Sequence, residues 1–186
     1  MLLRRKTAGG YWLMKIILTI LALAIALLLF LASRKPKSLS FSRSISIQAP
    51  KSKVYAHIGS LRAYDEWNPW SGADPTQNTS FEGEDGAIGS KMSWKGKKTG
   101  EGHMSLGEAN GTDAVRYDLE FLKPMKGSAQ AAVTLKEANG ATDVTWAYSG
   151  ESSFVARIFA VFMDFEKMIG GQYEKGLADL KQLSER

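Results

Sequence analysis

The chain has no cysteine. A disulfide framework, a thiolate metal site, a cysteine nucleophile and a lipid-modified cysteine are all excluded. Histidine is nearly as scarce: His57 and His103 are the only two and lie far apart in sequence. No histidine-rich metal centre is expected from such a pair, and no metal or cofactor is expected. Acidic residues are absent from the first 37 positions, which carry the cations Arg4, Arg5, Lys6, Lys15, Arg34, Lys35 and Lys37. The remaining residues then hold 17 cations against 19 anions, so the overall net charge of +5 becomes −2 beyond the N-terminal segment. A weakly acidic domain has no electrostatic footprint for nucleic acid, and no nucleic-acid partner is expected. The basic flanks suit lipid headgroups instead.

Charge is also missing from Ile16 to Ser33, a strongly apolar run. As an α-helix, 18 residues rise about 27 Å. Tyr11 to Met14 extend the run past the ~20 residues that a bilayer needs. Tyr11 and Trp12 suit the membrane interface, and Lys15 can snorkel to it. A cleaved signal peptide has a shorter apolar core followed by a small-x-small site, whereas Ala32-Ser33 follows Leu29-Phe30-Leu31. Residues 1–33 are therefore expected to be a tail and an uncleaved single-pass anchor, with residues 12–33 in the membrane. Cations flank both ends. The short N-terminal tail together with Lys15 favours a cytoplasmic N-terminus, which places the soluble domain on the outer face.

Residues 34–40 read as a linker and residues 41–186 as the soluble domain. Phe41 to Gln48 alternates with period two, the mark of a half-buried strand, and Ala49-Pro50 ends it. A short helix follows with Val54, His57 and Ile58 at helical spacing, then Gly59, then a second from Leu61 to Trp67 closed by Pro69. Six strand-like segments come next: 79–82, 88–95, 100–106, 114–122, 126–137 and 142–148. Gly, Asn and Asp clusters separate them, and Asn-Gly occurs twice, the strongest short hairpin signal. Phe154 to Phe162 is apolar, and Met163 to Arg186 reads as a long amphipathic helix with Phe165, Met168, Ile169, Tyr173, Gly176, Leu177, Leu180 and Leu183 on one stripe.

Alternation also says which side chains share a face. Val115, Tyr117, Leu119 and Phe121 form one row; Val144, Trp146 and Tyr148 form another. Ile88, Ser90, Met92 and Trp94 form a third, with Met104 and Leu106 beside them. The row Gly127, Ala129, Ala131, Val133, Leu135 is made largely of small residues. Small side chains opposite Trp, Tyr and Met leave space that a filled interior does not have. Such space accepts apolar ligands, and methionines let the lining adapt. The same residues equally describe an ordinary core. Trp67 and Trp70 flank Pro69 and either gate a rim or pack the short helix onto the sheet.

Catalytic motifs are wanting. No nucleophile elbow, HExxH or phosphate loop is present, and Glu82 to Gly89 is not followed by Gly-Lys-Ser/Thr. His103 alternates with Met104 and is expected to face solvent, while adjacent Asp65 and Glu66 diverge on a helix. Ser90, Tyr117, Tyr148 and Tyr173 are the groups able to hydrogen-bond a ligand.

The stretch Ser42 to Pro50 followed by Val54-Tyr55-Ala56-His57-Ile58 resembles the opening of the SRPBCC superfamily, and of its polyketide cyclase/dehydrase and lipid transport group in particular. Trp67-Asn68-Pro69-Trp70, Gly86-Ala87-Ile88-Gly89 with Trp94-Lys95-Gly96, Thr142 to Trp146, and Tyr173 to Lys181 extend the resemblance over about Ser40 to Glu185. It implies an α+β helix-grip fold of the Bet v 1/START type: a curved seven-stranded antiparallel sheet wrapped around the long C-terminal helix, here preceded by a transmembrane helix. It implies a cavity between sheet and helix lined by Trp67, Trp70, Met92, Trp94, Met104, Tyr117, Phe121, Trp146, Phe165, Ile169 and Tyr173. The expected function is a membrane-tethered binding module for a hydrophobic small molecule or lipid, without catalytic residues. A cyclase or aromatase, and an interaction domain like the chaperone activators of this fold, are the alternatives.

Overall fold

The computed structural model describes residues 8–186, and the tail cations Arg4, Arg5 and Lys6 lie outside them. The chain divides into two compact units: one comprises residues 38–152 with 165–186, the other the N-terminal segment with residues 153–164.

The larger unit is a seven-stranded antiparallel sheet, with strands β1 (Ser38–Ile47), β2 (Asn78–Glu82), β3 (Lys91–Gly96), β4 (Gly100–Ala109), β5 (Ala114–Lys123), β6 (Gly127–Ala138) and β7 (Ala141–Glu151). Their order is β1-β7-β6-β5-β4-β3-β2. Strands β2 to β7 form a continuous meander, and β1 closes on β7 along its full length. Between β1 and β2 lie two short helices, α2 (Lys51–Ile58) and α3 (Leu61–Asp65), and the unit ends in α5 (Phe165–Ser184). This is the helix-grip plan expected from the sequence.

The strands form where alternation demanded them. In β1 the odd positions Phe41, Ile45 and Ile47 turn inward while the intervening serines face solvent. Residues 38–40 were expected in the linker but belong to β1, because Glu151, Gly150 and Ser149 extend β7 far enough to pair with them. The segment 88–95 begins three residues late as a strand. Gly86 and Gly89 adopt φ near +80° and +85°, which glycine alone tolerates without strain, and turn the chain before β3. Ile88, expected on the inner row, is therefore exposed on that turn. Asn139-Gly140 places both residues at positive φ, the two-residue turn that joins twisted strands. Asn110-Gly111 works differently: the Asn110 side-chain oxygen accepts from the backbone of Thr112, Asp113 and Ala114 and folds a wider loop.

Helix α5 lays Tyr173, Gly176, Leu177 and Leu180 onto the sheet. It is fastened to β1 by charged and polar contacts. Arg43 pairs with Glu174 at 3.0 Å and Glu166 at 3.7 Å, Lys181 donates to Ser46 O at 2.7 Å, and Gln48 N donates to Glu185 at 2.6 Å. Gly176 marks the closest approach. A Cβ there would stand 2.8 Å from the Trp146 ring and 2.9 Å from Pro69. Gly176→Val is expected to push α5 off Trp146 and destabilise the domain by about 1–3 kcal/mol, the usual cost of overpacking, read as a lower midpoint in urea.

The smaller unit contains α1 (Ala8–Arg34) and α4 (Phe154–Phe159). Within residues 11–34 of α1 an 18-residue window has a mean hydropathy of 3.0 with 6 % of it buried, and the helix is long and apolar enough to cross a bilayer. The sequence pattern suggested that Phe154 to Phe162 leads into a helix starting at Met163. Instead the Ser153 hydroxyl caps α4 by accepting from Ala156 N, the helix ends at Phe159, and α5 restarts at Phe165.

Candidate functional site

Between the concave sheet and α5 lies a cavity of about 230 Å³. Its walls come from the elements that alternation and helical spacing assign inward. Met92 and Trp94 come from β3, Met104 from β4, Leu119 and Phe121 from β5, Ala131 from β6, and Tyr148 from β7. Ile169 and Tyr173 of α5 form the roof, and Tyr64, Asn68 and Trp70 enter from α3 and the turn after it. Gln77 and Thr99, from loops, complete the lining.

Of the residues singled out from sequence, Trp70, Met92, Trp94, Met104, Phe121, Ile169 and Tyr173 are brought together at this cavity. Trp67, Tyr117, Trp146 and Phe165 are not in its lining. The first three form the packed wall behind it. Trp67 is buried with its ring edge-on to Trp146 at 4.8 Å, and its Nε1 donates to His57 O at 2.8 Å. Trp146 stacks on Tyr173 at 3.7 Å with an interplanar angle of 14°. Tyr117 donates its hydroxyl to Ile58 O at 2.5 Å, anchoring α2 to the sheet. Seven further residues complete the lining. Leu119, Ala131 and Tyr148 sit on the inward rows already identified, and Tyr148 is also one of the hydrogen-bonding groups named there. Tyr64 and Asn68 come from the second short helix and the Trp67–Trp70 turn after it. Gln77 and Thr99 lie in loops without periodicity, so no sequence signal marks them.

Room at the β3–β4 end depends on glycine. Gly102 faces Trp94 across the ladder, and a Cβ there would stand 2.4 Å from the indole and 2.6 Å from Glu120 O. The indole thus lies over Gly102 and meets Phe121 edge-on, with ring centroids 6.0 Å apart. Small Ala131, opposite Tyr117 and Tyr148 on its two neighbours, keeps the middle open.

The chemistry of the lining is uniform. It contains no Asp, Glu, Lys, Arg or His. Its polar character comes from two amides, one threonine, the indole N–H groups of Trp70 and Trp94, and the phenols of Tyr64, Tyr148 and Tyr173. Those hydroxyls make no hydrogen bond among the described residues, unlike Tyr117, whose hydroxyl is engaged by Ile58. Phe41 touches both Tyr148 and Tyr173 (ring centroids 5.3 Å in each case), so the two phenols share one region of the wall. Burial raises the pKa of all three, and the neighbouring phenols raise that of Tyr173 further. They stay protonated and neutral, and act as hydrogen-bond donors in apolar surroundings.

His57 and His103 are not in the lining. His103 sits on the other face of β4, where Nε2 lies 3.2 Å from Glu120. Among the described residues, no cluster of three His, Cys, Asp or Glu side chains has metal-binding geometry.

The loop bearing Gln77 is secured by a buried carboxylate. Asp74 accepts from Thr76 Oγ1 at 2.7 Å, Lys98 N at 2.5 Å, Thr76 N at 2.9 Å and Thr99 N at 3.3 Å. The Thr76 hydroxyl first, then the Lys98 amide, hold its pKa well below the ordinary 3.8. A depressed carboxylate contributes stability that is complete above its unfolded-state pKa and is lost as pH falls through and below that value. Thermal unfolding of the wild type is therefore expected to lose more on acidification below about pH 4 than that of Asp74→Asn, whose side chain cannot titrate. Parallel slopes for the two proteins would show that Asp74 does not do this.

The family profile described as polyketide cyclase / dehydrase and lipid transport matches residues 38–185. No curated protein matches. Among solved structures, protein CV1439 from Chromobacterium violaceum is similar at 18% identity and a TM-score of 0.57, over 82% of this chain and 99% of that one. The Aha1 dimer from Colwellia psychrerythraea is similar at 16% identity and a TM-score of 0.56, over 79% of this chain and 96% of its own. The di-domain ARO/CYC BexL from the BE-7585A biosynthetic pathway is similar at 14% identity and a TM-score of 0.56, over 97% of this chain and 62% of its own. At these identities the structural likenesses speak for the fold.

Proposed function

Because the chain belongs to the polyketide cyclase/dehydrase and lipid transport family, we propose that it is a membrane-tethered module that binds an uncharged hydrophobic small molecule in the cavity between sheet and α5. The observation that carries this reading is the lining itself: aromatic and sulfur-containing walls, no ionisable group other than tyrosine, and three unengaged neutral phenols. Apolar pockets with a few placed polar groups suit such ligands. A carboxylate or phosphate entering this lining would lose its hydration without meeting a cation, which is strongly unfavourable. A neutral carbonyl or hydroxyl oxygen, by contrast, is a ready acceptor for the three donors. The volume of about 230 Å³ is small beside the roughly 300–1,000 Å³ typical of drug-sized ligands. It favours one compact ring system over a two-chain lipid.

Binding is favoured over cyclisation. Ring closure by attack of the α-carbon of one carbonyl on the carbon of another needs a base to withdraw the α-proton, and an effective base has a pKa near the working pH. The lining offers phenols whose burial raises their pKa away from that range. The test is titration of the purified full chain with 2-naphthol, naphthalene and 2-naphthoate. Binding in the order naphthol, naphthalene, naphthoate supports the reading, and naphthoate bound tightest contradicts it. In Tyr148→Phe or Tyr173→Phe the advantage of naphthol over naphthalene is expected to shrink by about 3- to 10-fold, the worth of one hydrogen bond of about 1 kcal/mol.

Helix α1 supplies the tether in this proposal. Tethering raises the effective concentration of the cavity at the bilayer without a new contact. The domain is placed on the outer face, opposite the N-terminal tail. A C-terminal alkaline phosphatase fusion, active only after export, is expected to be active. Activity from a fusion that works only in the cytoplasm would reverse the orientation.

A further inference from the structure

The short helix α4 carries an apolar surface that water does not favour. Phe154, Val155, Phe159, Phe162 and Met163 are all exposed, Phe162 at 73 %. The helical turn continues past Phe159 through Phe162 N and Met163 N, both bonded to Phe159 O. Residues 155, 159, 162 and 163 therefore follow one another at three- and four-residue steps along one side. Arg157 is the only charged residue from Ser153 to Met163, and its guanidinium lies over the Phe154 ring at 5.1 Å.

The partner is indicated by what α4 packs on. Within the smaller unit α4 contacts α1, the one helix among the described residues that is long and apolar enough to cross a bilayer. Connectivity adds a constraint. Glu151, two residues before Ser153, pairs with Ser38, which follows the last residue of α1 by four positions. At no more than about 3.6 Å per residue, the start of α4 stays close to the C-terminal end of α1. An apolar stripe beside the end of a membrane helix, with a lone arginine near it, matches a helix lying in the headgroup region. There the apolar side sinks toward the acyl chains and the cation meets lipid phosphate.

We propose that residues 154–163 form a second membrane-inserted surface, a foot that lies in the outer-leaflet interface next to the anchor. The proposal rests on the tethered reading given above. It commits to lipid, with phosphate headgroups at Arg157 and acyl chains against Phe159, Phe162 and Met163.

The absence of cysteine makes a direct test simple, since one introduced cysteine is a unique labelling site. Full chains carrying Phe162→Cys or Val155→Cys, spin-labelled in vesicles of phosphatidylcholine and phosphatidylglycerol, report whether each position meets oxygen, which concentrates in lipid, or a water-soluble nickel chelate. Leu23→Cys reports the anchor and Asn139→Cys the solvent. Oxygen-dominated relaxation at 162 and 155, as at 23, is the expected result. Oxygen at 23 with nickel at both 162 and 155 would overturn the foot while leaving the anchor in place. Nickel at 23 would overturn the tether on which the foot depends.

Discussion

Replacing Trp146 with alanine is expected to remove about 3–5 kcal/mol of stability, the range measured for burying nothing where a large aromatic stood. Trp146 is fully buried on β7. Its ring stacks on Tyr173 of α5 and meets Trp67, Tyr64 and Trp70 edge-on at 4.8, 6.0 and 6.4 Å. It is the piece on which α3, the turn after it and α5 all rest, and Gly176 is the residue that lets α5 come down to it. Alanine leaves a void that these three elements cannot close without moving. Domains of this size are stable by about 5–15 kcal/mol, so the variant sits near the edge of folding. The measurement is urea unfolding with the midpoint and slope fitted separately. A midpoint unchanged within error would mean that the aromatic cluster is not what joins helix to sheet. Trp94 provides the contrast. It is half-buried at the far end of the cavity, so Trp94→Ala is expected to change ligand affinity more than stability.

The second large effect is expected from filling the cavity. Ala131 is buried in the middle of β6 and lines the cavity. Ala131→Phe sends a ring into that space. Affinity for Nile red, a neutral apolar dye, is expected to fall by more than about tenfold, or about 1.4 kcal/mol. Stability is expected to change less than in Trp146→Ala, because a ring that enters existing space gains contacts as it loses freedom. A cavity-filled variant that folds and still binds dye as tightly as wild type would place the dye elsewhere. One that gains stability and loses binding would be the clearest sign that the space is kept open for a ligand.

Much of this architecture is legible in the sequence because it follows from two periods. Alternation in β1, β5 and β7 gives the inward rows directly, and the stripe from Ile169 to Leu183 gives α5. The small-residue row of β6 points to open space in the sheet. The failures have local causes. Ile88 looks like the first residue of an inward row, but flanking glycines at positive φ place it on a turn. Residues 38–40 look like a linker because serines dominate them, yet pairing with β7 recruits them. The stop between α4 and α5 has no proline or glycine to announce it. The cavity boundary is harder still, since it depends on how deeply a helix sits on a curved sheet. Tyr117 and Tyr148 occupy equivalent positions on inward rows. One hydroxyl is tied to Ile58 in the packed wall while the other faces the cavity, and only the position of α2 separates them.

The most direct test uses the methionines as reporters. Met92 and Met104 line the cavity, whereas Met125 and Met163 are exposed away from its lining. Methyl-labelled full-length protein in lipid nanodiscs is titrated with 2-naphthol and followed by NMR. Saturable shifts of the Met92 and Met104 methyls, with Met125 still, are predicted. Shifts confined to the exposed methionines, or none at saturating ligand, would contradict a binding cavity under α5.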